Sequence, residues 1–173
     1  MTGPGAAAGA SRGGPDLLGI YLNDHLAGAT AGVELARRMA RAHRTPPASA
    51  VLRELAAEVA EDRAALITIM STLSIPVRGY KTQAAWLAEK AGRLKFNGRL
   101  VARSPLSTLE ELELFRLAVT GKAAGWRTLH ALAQRDQRLD TGRLDELLAR
   151  AARQEETLED LRRQAAGKVI EAR

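Results

Sequence analysis

Apolar residues recur along this chain at helical spacing. In the stretch from Leu109 to Ala133, one helical face would carry Leu109, Leu112, Phe115, Val119, Ala123, Trp126, His130 and Ala133. The opposite face would carry Leu114, Leu117, Ala118, Gly121, Gly125, Leu129 and Leu132. A helix that is apolar nearly all round belongs in an interior, so the rest of the chain is expected to pack around this one. Ser107-Thr-Leu-Glu110 is a capping-box pattern and predicts where it starts.

Three further stripes have the same period. The first helix is expected from Asp16, its N-cap after Pro15, to about His43, with Leu18, Tyr21, Leu22, His25, Ala29, Gly32, Val33, Ala36, Met39 and Ala40 on its stripe. The second, Ala48 to Leu73, carries Leu52, Leu55, Ala56, Val59, Leu66, Met70 and Leu73, and Ser74, Ile75 and Pro76 stop it. Arg63 falls inside that stripe and Asp62 at its edge. The last helix begins after Asp140-Thr141 and runs to about Lys168, with Leu144, Leu147, Leu148, Ala151, Leu158, Leu161, Ala165 and Val169 inward and Glu155 at the centre of that face. The connection 75–107 is too long for structureless coil in a compact domain. Within it Thr82 to Leu94 predicts a shorter helix bearing Trp86, Leu87, Ala91 and Leu94, ended at Asn97-Gly98.

Four long helices joined short, long, short define an all-α, four-helix bundle with one long crossover containing a short extra helix. The short loops make antiparallel hairpins, and the crossover lets the third helix run parallel to the second. Residues 1–15, rich in Gly and Ala, are expected to be a disordered tail, and 16–173 a single bundle domain with its crossover at 75–107.

Composition agrees with helices: 46% of residues are hydrophobic but only 3% aromatic, and strand formers are scarce. The absence of cysteine excludes disulfides, thiolate metal sites and a catalytic thiol. No apolar run reaches the roughly 18 residues of a membrane span, and a cytoplasmic protein is expected. The net charge of +6 is local. Arg78, Lys81, Lys90, Arg93, Lys95, Arg99 and Arg103 stand against Glu89 in the crossover, and the remainder is neutral. Lys81, Lys90, Arg93, Lys95, Arg99 and Arg103 alternate with Tyr80, Trp86 and Phe96, a pattern able to follow phosphates and stack bases. The same pattern also suits a solvated basic face fastened by its aromatics.

Tyr21-Leu-Asn-Asp-His-Leu-Ala-Gly-Ala-Thr-Ala-Gly, with Glu61-Asp-Arg63 and Arg153-Gln-Glu-Glu-Thr-Leu-Glu159, resembles small bacterial proteins of the ferritin-like four-helix-bundle superfamily. The resemblance covers roughly 16–168. It implies the single-crossover topology, and in active members a site for two iron or manganese ions built from two Glu and two Glu-x-x-His motifs. Here Leu22, Ala40 and Arg127 stand three residues before His25, His43 and His130, so that motif is missing. No cofactor or di-metal centre is expected.

In that topology Arg63 and Glu155 would both face inward near mid-height. A lone buried charge costs several kcal/mol, whereas a hydrogen-bonded pair is tolerable. A buried polar centre of His25, Arg63, Glu155 and Asp62 is therefore expected, with Arg63 and Glu155 paired where active relatives hold metal. Asp62 and Glu58, one turn apart, read as a solvated edge, and His25 and His130 as satisfied core residues. Gly28 with Gly32, and Gly121 with Gly125, read as notches for close helix packing, since a helical glycine otherwise costs about 1 kcal/mol. The leading expectation is a non-enzymatic ferritin-like bundle acting by binding or assembly, as a homodimer or with a protein partner not identified by the sequence. Its alternatives are a di-iron or manganese oxidoreductase with an atypical site, and a nucleic-acid-associated protein using the basic crossover.

Overall fold

The computed structural model describes residues 16–43, 46–78 and 104–172. Over them the chain forms four long helices, α1 (Leu17–Ala42), α2 (Ala48–Thr72), α3 (Pro105–Ala133) and α4 (Thr141–Glu171), with no strand among the described residues. The tail 1–15, the short helix expected over Thr82–Leu94, its Asn97-Gly98 turn and the basic residues from Lys81 to Arg103 lie outside the described residues.

Local chemistry sets the helix ends. Asp16 caps α1 by accepting from the Gly19 amide at 2.9 Å. A Cβ on Gly19 would lie 2.0 Å from the Asp16 carboxylate, so only glycine lets this cap close. α2 ends in a Schellman arrangement: Ser74, at φ 58°, donates its N–H to Ser71, and Ile75 donates to Met70 at 2.8 Å. α3 starts earlier than the capping-box pattern predicts. Ser104, not Ser107, is its N-cap, accepting from the Ser107 amide at 3.1 Å, and Pro105 occupies the first turn. A proline there is preorganised for the helix and has no N–H to leave unsatisfied. Asp140 caps α4 through the Arg143 amide.

Contacts between the helices give their order. α1 meets α2 at Thr30–Arg63 and, further down, Asn23–Pro76. It meets α3 at Tyr21–Thr128 and Arg38–Glu111. α3 meets α4 at Arg116–Glu159 and His130–Asp145, and α2 meets α4 at Glu58–Gln154 and Glu61–Arg150. In every pair residue numbers rise on one partner as they fall on the other, so neighbours are antiparallel and run α2–α1–α3–α4 around the bundle. α2 and α3 lie on a diagonal and point the same way. The end of α2 and the start of α3 are therefore at opposite ends of the bundle.

The core holds Leu22, Leu26 and Met39 of α1, Leu52 and Met70 of α2, Phe115, Trp126 and Leu129 of α3, and Leu147 and Leu158 of α4, all at most 2% exposed. All seven stripe residues of α2 are buried. α3 is not enclosed all round: Leu112, Phe115, Val119, Ala123 and Trp126 are buried, but Ala118 and Gly121 are exposed and Leu117 is 69% exposed. Of its second apolar face, Gly125 and Leu129 are buried and Leu114 and Leu132 half-buried, so only the strip of Leu117, Ala118 and Gly121 is open. No described helix is long and apolar enough to cross a membrane.

One buried polar residue closes the end of the bundle where α2 stops. Asn23, 5% exposed, donates Nδ2 to the carbonyls of Gly19 at 2.7 Å and Pro76 at 3.1 Å, while its Oδ1 accepts the Arg78 amide at 2.7 Å. Asn23→Leu removes all three of these hydrogen bonds, one of them to the buried Gly19 carbonyl, and is expected to cost about 1–3 kcal/mol in urea denaturation.

Candidate functional site

Charges gather in the bundle around Asp62, which is 1% exposed. Its carboxylate accepts from the Lys122 ammonium of α3, from Arg150 of α4 at 3.2 Å and from the Gln154 amide at 3.3 Å. Gln154, also 1% exposed, accepts from Lys122 through Oε1 and donates Nε2 to Glu58 at 2.8 Å. Arg150 reaches out to Glu61 at 2.9 Å. Burial pulls the Lys122 amine below its ordinary value and outweighs the attraction of Asp62. A buried carboxylate with three donors, two of them cationic, meets the condition under which such a group is tolerated.

Of the expected centre of His25, Arg63, Glu155 and Asp62, only Asp62 belongs to this network. Arg63 does not meet Glu155. It is half-buried and donates Nε to Thr30 Oγ1 at 2.9 Å, tying α2 to α1, and Glu155 is half-buried outside the network. Asp62 is not a solvated edge, and Lys122, Gln154 and Arg150 complete the site. From Val59, Asp62 is three residues on and Arg63 four; from Ala151, Gln154 is three on and Glu155 four. Helical periodicity admits both positions. The partners settle the first choice: Arg63 finds Thr30 on α1, and Asp62 finds Lys122 on α3. The usable sequence signal was Lys122, a lone lysine between Val119, Ala123 and Trp126. His130 lies at the α3–α4 edge, with Nε2 3.2 Å from Asp145. Among the described residues no three of His, Cys, Asp and Glu gather as they would to hold a metal ion. The Lys122 ammonium itself occupies the position of a cation on Asp62.

Against one side of this network lies a cavity of about 360 Å³, bounded by α1, α2 and α3. Leu22, Val59, Leu66, Phe115, Val119, Trp126 and Leu129 make it apolar, while Asp62, Lys122, His25 and Asp24 supply its few polar atoms. Gly28 and Gly32 of α1 and Gly121 of α3 line it too. A Cβ added at any of these three would meet nothing within 4 Å. They are therefore not notches for a neighbouring backbone, and they face open space. Only Gly125 makes room for something: a Cβ there would come 2.9 Å from the His25 ring, so its partner is a side chain.

His25 sits at the wall of this cavity, half-buried, edge-on to Tyr21 with ring centroids 4.4 Å apart. Tyr21 in turn bonds Thr128 Oγ1 at 3.0 Å. Burial draws the imidazole below its ordinary value of 6.5, and the nearby Asp24 charge opposes this more weakly. This favours the neutral form of the ring. The indole N–H of Trp126, in a residue 2% exposed, donates to no acceptor among the described residues.

No protein-family model, curated protein or solved structure matches the chain.

Removing one member of the network leaves buried charge uncompensated. Asp62→Ala is expected to cost about 3–5 kcal/mol in urea denaturation. The double variant Asp62→Leu with Lys122→Met should recover most of this loss, since Arg150 keeps Glu61. His25 sets a pH dependence. Below 6.5 the unfolded imidazole takes up a proton while the folded one, its pKa lowered, does not. The unfolded chain then binds more protons, so this contribution to stability is complete above 6.5 and is lost as the pH falls through the window beneath it. Denaturation midpoints of the native chain should drop relative to those of His25→Gln on acidification below that value, and run parallel to them above it.

Proposed function

We propose that this chain is a non-enzymatic binding protein of the ferritin-like bundle type, which takes a small apolar molecule in the cavity between α1 and α3. The supporting observation is the set of three helical glycines facing empty space. Each lowers helix stability by about 0.5–1 kcal/mol relative to alanine, and no backbone approach compensates for it. Gly28 and Gly121 are exposed and Gly32 half-buried, and all three line a cavity whose volume falls in the range of small-molecule sites, about 300–1,000 Å³, with the usual apolar lining and few polar groups. The buried charges beside it act structurally in this reading. They are saturated by one another, and none is placed as a nucleophile beside a free base. The exposed α3 strip around Leu117 supports association with a second protein surface as a further part of the same binding role.

Titration with phenylnaphthylamine, a neutral fluorescent probe, tests this. Saturable one-to-one binding is expected. Gly121→Leu should abolish it while raising unfolding stability by about 0.5–1 kcal/mol, because the new side chain enters free space. Leu117→Ala, outside the cavity, should leave binding unchanged. Absence of saturable binding, or binding indifferent to Gly121→Leu, overturns the assignment.

A further inference from the structure

We infer that the cavity selects a neutral, flat ring compound of about one or two fused rings, carrying a hydroxyl or ring N–H that engages His25. This rests on the cavity being a ligand site and states what it takes.

Charge is the first discriminator. Lys122 is held by Asp62 and Gln154, and Asp62 by Lys122, Arg150 and Gln154, so the ionic groups at the wall compensate one another. A ligand ion would lose its hydration and find no counter-charge, which is strongly unfavourable. Asp24, exposed at the rim, adds repulsion for anions. Fatty acids and other anionic amphiphiles are excluded on this ground, although the lining is apolar.

Shape is the second. Gly28 and Gly32 on one helix and Gly121 on another carry no side chain, and the rest of the lining includes the rings of Tyr21, His25, Phe115 and Trp126. A planar ring meets such rings in offset or edge-on contact, whereas a flexible chain must give up rotamer freedom to lie there. The volume of about 360 Å³ stands near the lower end of the usual range and limits the ligand to a compact ring system.

Orientation is the third. The His25 ring packs against Tyr21 and Gly125, and no hydrogen bond to its nitrogens forms among the described residues. A neutral imidazole offers one donor and one acceptor, and at this wall they serve a hydroxyl or an N–H on the ring.

Calorimetric titration of the full chain with naphthol, naphthalene, naphthalenesulfonate and decanol provides the test, with phenylnaphthylamine run alongside. Naphthol is expected to bind at least about tenfold more tightly than the sulfonate or decanol, a difference of about 1.4 kcal/mol. His25→Leu should weaken naphthol about fivefold, the effect of one lost hydrogen bond, and leave naphthalene unchanged. Sulfonate or decanol binding as tightly as naphthol overturns the inference, as does equal loss of naphthol and naphthalene in His25→Leu. In each of those cases phenylnaphthylamine still saturates, so the cavity remains a ligand site. If phenylnaphthylamine also fails, the binding assignment itself falls.

Discussion

A carboxylate with 1% of its surface exposed has to be neutralised where it lies, and the groups that neutralise Asp62 come from α3 and α4. That requirement fixes more than one contact. Lys122 reaches it across the diagonal of the bundle, Arg150 and Gln154 reach it from the neighbouring helix, and Glu58 and Glu61 engage the far ends of Gln154 and Arg150. Three helices are thereby locked in register at one level. An apolar layer could slide by a turn at modest cost, since volume-conserving rearrangements of such layers are tolerated. A saturated polar layer has one arrangement in which every donor meets its acceptor.

Two of the four seams of the bundle differ in kind. Between α2 and α4 the bridging groups are long and polar. Between α1 and α3 the contacts at the two ends are Tyr21–Thr128 and Arg38–Glu111, with His25 wedged on Gly125 near the first. Gly28, Gly32 and Gly121 line the cavity beside these contacts. Small residues thus have opposite effects according to what stands beside them. With only small neighbours they permit close packing. With a histidine, a tyrosine and a tryptophan alongside, they leave a hole.

Much of this fold was legible from apolar spacing alone. The Asp16 cap, the seven buried positions of α2, the inward stripe of α4 and the antiparallel hairpins follow from the period of the side chains and the length of the loops. The site was legible only in part. Asp62 and Arg63 each fit the gap between Val59 and Leu66, and Gln154 and Glu155 each fit the gap between Ala151 and Leu158. In both helices the residue at three rather than four positions turned inward, and the period cannot choose between them. The choice depends on which partner waits across the interface, and that partner was Lys122 on a third helix. The glycines pose the same difficulty. Whether a missing side chain is a notch or part of a cavity depends on the distance to the next helix, which distant bulky residues set.

The carboxamide of Asn23 gives the end of the bundle where α2 stops a chemistry different from that of the cavity wall. It joins α1 to Pro76 and Arg78 through hydrogen bonds that carry no titratable proton. At the cavity wall, by contrast, burial lowers the His25 pKa, so that wall responds to protons. Acidification therefore acts on the cavity wall, while the knot where α2 hands the chain onward offers no group that takes one up.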